Sequence, residues 1–70
     1  IREVVEWLIE ELESCMREAK AILKRLEEKD PYHAVGEWKV LNVFLRQAIR
    51  ACRELGKLLD EEVRRRLEDD

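Results

Sequence analysis

"KDPYHAVGEW", Lys29–Trp38, gives the backbone two opposed instructions, and the fold turns on which of them is obeyed. Asp30 followed by Pro31 is a helix start: the aspartate can accept from free N–H groups of a first turn, and the proline has no N–H to leave unpaired. Gly36, a few residues later, is a helix stop. A helix beginning at Pro31 must run through that glycine. One beginning after it leaves residues 30–36 as a connection.

Upstream, apolar residues alternate three and four apart through Ile1, Val5, Leu8, Leu12, Cys15, Ala19, Ile22 and Leu26, the pattern of one amphipathic helix over residues 1–29. Glutamates crowd its first half, and Lys20, Lys24, Arg25 and Lys29 its second, as the helix dipole favours. Downstream the same alternation runs through Trp38, Leu41, Leu45, Ala48, Cys52, Leu55 and Leu59, with a weaker continuation at Val63 and Leu67. Two such segments joined by a short link make an all-α chain, an antiparallel two-helix hairpin.

Two registers compete for that hairpin. A second helix starting at Pro31 sets Cys15 beside Leu45 and leaves about ten residues overhanging the first helix, with Val63 and Leu67 bare. A second helix spanning 37–68, after a connection that holds one short turn, sets Leu26 against Leu41, Ala19 against Ala48 and Cys15 against Cys52, with both ends flush. The flush register is the expectation, because it explains Gly36 and matches the cysteines. It predicts a Cys15–Cys52 disulfide, which in a domain this small would stabilise the fold by roughly 4 kcal/mol. Two reduced thiols packed as small apolar groups are the alternative. A break at Gly56, giving a three-helix bundle, is the other topology open to the sequence.

Seventy residues make a single domain near the lower limit for independent folding, so help from a staple or a partner is expected. The chain is 46% apolar and 44% charged with a net charge of −3, too greasy for disorder and without the basic footprint that a nucleic acid needs. No apolar run approaches the length of a membrane span and no leader-like segment opens the chain, so a soluble protein with no membrane partner is expected. Catalysis, cofactors, metals and small-molecule ligands are not expected either. Ser14 and His33 lie several turns apart, His33 is the one histidine, and neither glycine belongs to a phosphate loop. The Arg64–Arg66 run is matched by Asp60, Glu61, Glu62 and Glu68 at helical spacing, which makes it a solvated face.

What the hairpin leaves over is apolar. Ile9, Met16 and Leu23 form a second ridge on the first helix, and Val40, Val43, Phe44, Gln47, Ala51 and Leu58 fall off the seam of the second. The segment 32–52 is also poor in charge, as a covered surface is. These nine residues are therefore the candidate partner contacts. The regular heptads, the dense Glu, Lys and Arg on outer faces and the single internal cysteine pair resemble a computationally designed helical hairpin or bundle component. That resemblance is one of style, extends over the whole chain and brings no active site with it. It weakens at Tyr32, His33, Trp38, Asn42, Val43, Phe44 and Gln47, where it implies a designed contact. The expected function is thus self-assembly, a homodimer forming a four-helix bundle of coiled-coil type. The alternative is a module that presents the apolar face of its second helix to a foreign protein.

Overall fold

A computed structural model of the chain describes residues 1–69 and contains two helices, α1 Arg2–Glu27 and α2 Pro31–Asp69, packed as an antiparallel hairpin. The Asp-Pro signal prevails over the glycine. Asp30 caps α2, its Oδ1 accepting from the His33 N–H at 3.2 Å while the other carboxylate oxygen meets His33 Nδ1. The expected connection at 30–36 is therefore corrected to residues 28–30, and the expected helix start at 37 moves back to Pro31. Gly36 and Gly56 lie within α2, neither with positive φ, and a methyl group added at either would meet only open space. Neither glycine stops the helix, so the three-helix alternative with a break at Gly56 is also set aside.

The turn is held by hydrogen bonds from both helices. Asp30 N–H donates to the Arg25 carbonyl at 2.8 Å and Lys29 N–H to the Leu26 carbonyl at 3.1 Å, the paired bonds that close a helix around a left-handed residue. That residue is Lys29, with φ 59°. A lysine there bears a steric cost that glycine avoids. Lys29→Gly is expected to stabilise the fold by about 1 kcal/mol, read as a raised midpoint in urea; an unchanged or lowered midpoint would contradict this account of the turn.

Because the link is so short, a residue of α1 and the residue of α2 at its level have numbers that add to about 60. The Arg25–Glu37 ion pair, Nε to Oε1 at 3.0 Å, fixes the same level near the turn. Cys15 thus stands near Leu45, about 10 Å along the axis from Cys52. Both thiols are free, Cys15 buried and Cys52 exposed, so the expected disulfide is absent. The flush ends are absent too. With 39 residues against 26, α2 runs on past the start of α1 from about residue 60.

The result is a rod of 61 × 13 × 13 Å with a radius of gyration of 17.2 Å, where a compact domain of this length has about 11 Å. Its accessible surface is 5949 Å², against about 4,600 Å² for a compact monomer of this mass. The buried apolar residues are Cys15, Ala34, Ala48 and Ala51, and among the described residues no large side chain is fully buried. Two rods in line contact have no interior in which to enclose a leucine.

Candidate interaction surface

Burial sorts the side chains of each helix into stripes. On α1 one row of covered positions, Val4, Leu8, Glu11, Cys15, Glu18, Ile22 and Arg25, alternates four and three apart, with half-buried Trp7, Ser14 and Ala21 along its back edge and half-buried Val5 on its other side. On α2 the row is Ala34, Glu37, Leu41, Phe44, Ala48, Ala51, Leu55, Leu58 and Glu62, with the same alternation, and Asn42 and Gln47 are half-buried on either side of it. Since each helix has only the other to cover it, these two stripes are the seam of the hairpin. Alanines at 34, 48 and 51 let the backbones come close.

One residue further along each helix lies a second stripe. On α1 it is Val5, Ile9, Leu12, Met16, Ala19, Leu23 and Leu26, without a polar member; Leu23 is 59% exposed and Met16 58%. On α2 it is Val35, Trp38, Asn42, Leu45, Ile49, Cys52, Gly56, Leu59 and Val63. Asn42 is its one polar side chain, and the Asn42 amide donates to the Trp38 carbonyl of its own helix at 3.2 Å.

These two open stripes lie on the same side of the hairpin. A step of one residue turns the side chain by roughly 100° in the right-handed sense about its own axis. The helices run in opposite directions, so seen from one end the two steps turn opposite ways. Side chains that faced each other across the seam are both carried to one flank. The molecule therefore has one continuous apolar face, as long as α1 and two helices wide, where α1 carries more apolar character than in its own seam. Glu11, Glu18 and Arg25 interrupt that seam, while nothing interrupts the open stripe.

The nine candidate contacts divide three ways against this geometry. Ile9, Met16 and Leu23 stand in the open stripe. Phe44, Ala51 and Leu58 are in the seam, and Ala51 at 0% exposure is out of reach of any second molecule. Gln47 is half-buried at the back edge of the seam, Val40 is exposed on the same row and Val43 is exposed further out, all three away from the apolar face. Sequence reasoning missed Leu12, Trp38, Leu45 and Leu59 as exposed residues because it placed all four in the hairpin seam. The signal that would have found them is the run of charges at Glu11, Glu18 and Arg25. Trp7 is half-buried at the back edge of the seam.

The titratable groups are arranged for structure. Burial pushes the Cys15 thiol upward, Glu11 adds to this and a backbone hydrogen bond opposes it, which keeps the sulfur protonated and a poor nucleophile. The Asp30 carboxyl is lowered, first by the His33 N–H bond, against some desolvation, with the His33 ring and Arg25 acting in the same direction as that bond. A folded value below the unfolded one contributes stability that is present above the unfolded pKa and lost as pH falls through the folded one. Asp30→Asn, which keeps a cap but cannot titrate, is expected to show a flatter loss of thermal midpoint than the parent below about pH 4; parallel acid curves would remove Asp30 from the turn's energetics. Arg25 is held protonated by its hydrogen bond to Glu37 and then by that carboxylate's charge. Arg65 and Arg66 both pair with Glu62.

Among the described residues no group of histidine, cysteine and carboxylate side chains is placed to hold a metal, and no helix is long and apolar enough to cross a membrane. Comparison with protein families, curated proteins and solved structures returns no match.

Proposed function

We propose that this chain is a self-assembly module: two copies join their apolar faces and form a four-helix bundle. The observation that carries the reading is the pair of stripes on each helix, one covered by the other helix and one apolar and open, set roughly 100° apart. In a four-helix bundle every helix touches two neighbours at about a right angle, so each needs two stripes with that separation. The hairpin partner uses one stripe and the second copy uses the other.

The areas agree with this. The chain exposes about 1,300 Å² more than a compact monomer of its mass, and a standard interface buries about 800 Å² on each partner. A foreign protein offering a matching helical face would cover the same surface, but nothing in the stripe singles out a partner smaller or more polar than a second hairpin. The absence of a large buried side chain favours the second copy further, since the missing interior is what a bundle supplies.

Sedimentation equilibrium at micromolar concentration tests the reading. A particle of twice the 8.4 kDa chain mass is expected, with a thermal midpoint that rises with concentration. A well-folded monomer whose midpoint does not depend on concentration would overturn it and favour a foreign partner.

A further inference from the structure

Only two two-fold axes bring the apolar face onto itself with the helices in line. One runs along the bundle, sets the turns of both copies at the same end and lays α1 of each copy against α2 of the other. The second crosses the bundle, sets the turns at opposite ends and lays each helix against its own duplicate. We propose, resting on the self-assembly reading above, that the copies pair with their turns at the same end.

The outer edges of the face carry this choice. Next to the open stripe, on the side away from the seam, α1 presents Glu6, Glu13 and Lys20, and α2 presents Lys39, Arg46 and Arg53. With the turns together, residues of the two copies meet at the levels the hairpin itself sets, with numbers that add to about 60. Glu6 then approaches Arg53 of the second copy and Glu13 approaches its Arg46; Lys20 beside Lys39 is the one like-charged step. With the turns apart, the basic edge of α2 faces itself, Arg46 against Arg46 and Lys39 against Arg53. Glu13 of α1 likewise meets Glu13, and only Glu6 with Lys20 is favourable. Charges flanking an apolar seam select orientation more than they add affinity, and here they reject one of two otherwise similar assemblies.

The same levels give the apolar layers. Leu23 packs on Trp38 of the second copy, Met16 on Leu45, Leu12 on Ile49 and Ile9 on Cys52. Asn42 falls opposite Ala19, the smallest side chain of the α1 stripe, where its amide has room to keep the bond to the Trp38 carbonyl.

Two thiol variants in a Cys15→Ala background separate the arrangements. Ile9→Cys is expected to give a covalent dimer through native Cys52 on oxidation or with a short bismaleimide. Asn42→Cys, which would meet Cys52 only with the turns apart, is expected to stay uncrosslinked. A covalent dimer from Asn42→Cys alone overturns the orientation and leaves self-assembly standing, whereas a Cys15→Ala parent that sediments as a monomer overturns self-assembly itself. A spin label at exposed Tyr32→Cys, with both native cysteines changed to alanine, reads the orientation from the turn end of the α2 edge. Label pairs at about 25–30 Å are expected, from α2 helices on the diagonal of the bundle, and pairs separated by more than the length of α1, about 40 Å, overturn the proposal.

Discussion

Leu12→Glu together with Leu45→Glu is expected to convert the assembly into monomers and to remove most of the helical signal at micromolar concentration. Both side chains stand in the open stripe, Leu12 at 49% and Leu45 at 41% exposure, so the isolated hairpin loses little by the change. A symmetric pair of copies loses four leucines. At about 1.5 kcal/mol for each, the lower end for burying such a side chain, association weakens by about 6 kcal/mol, or roughly 10⁴-fold. The glutamates add the cost of carboxylates facing an apolar layer. Helicity falls with it, because the separate hairpin has only a line of small residues to hold it. Val40→Lys with Val43→Lys is the matched control: these residues lie on the back and outer edge, and sedimentation should be unaltered. Equal loss in both pairs would mean that the apolar face is not the contact.

Ala51→Leu has the second largest expected effect, and it acts on the seam. Ala51 is at 0% exposure, flanked along its stripe by the buried Ala48 and the half-buried Leu55. Three added carbons have nowhere to go without parting the helices. Overpacking of this kind costs about 1–3 kcal/mol per site, which in a domain of this size lowers the thermal midpoint by roughly 4–8 °C for each kcal/mol. A thermal scan of Ala51→Leu and the parent at equal protein concentration would decide it, and an Ala51→Leu midpoint no lower than the parent's would refute close packing at the seam.

The all-α hairpin was legible from periodicity alone, and α1 was placed to within two residues of its end. The rotation of the helices was not. The heptad read from the sequence, Val5, Leu8, Leu12, Cys15 and Ala19 on α1 and Trp38, Leu41, Leu45, Ala48 and Cys52 on α2, alternates between the two stripes of the structure. It marks the middle of a wide apolar sector, and the middle of such a sector points between two neighbours rather than at either. Cys15 belongs to the seam stripe and Cys52 to the open one, which is why a match by heptad position promised a bridge that the packing forbids. The start of α2 was missed for a local reason. Gly36 was given the weight of a stop, although a glycine within a helix costs only about 1 kcal/mol against alanine and a capped Asp-Pro start outweighs it.

The unequal lengths of the helices leave the last turns of α2 without a neighbour from their own chain. A lone stretch of about ten residues is below the length at which a helix holds itself together in water. Its amides should exchange with solvent well before those of the paired region, and trypsin should cut at Arg64, Arg65 and Arg66 while the arginines and lysines alongside α1 survive. The trimmed product would keep the turn, the seam and nearly all of the greasy flank.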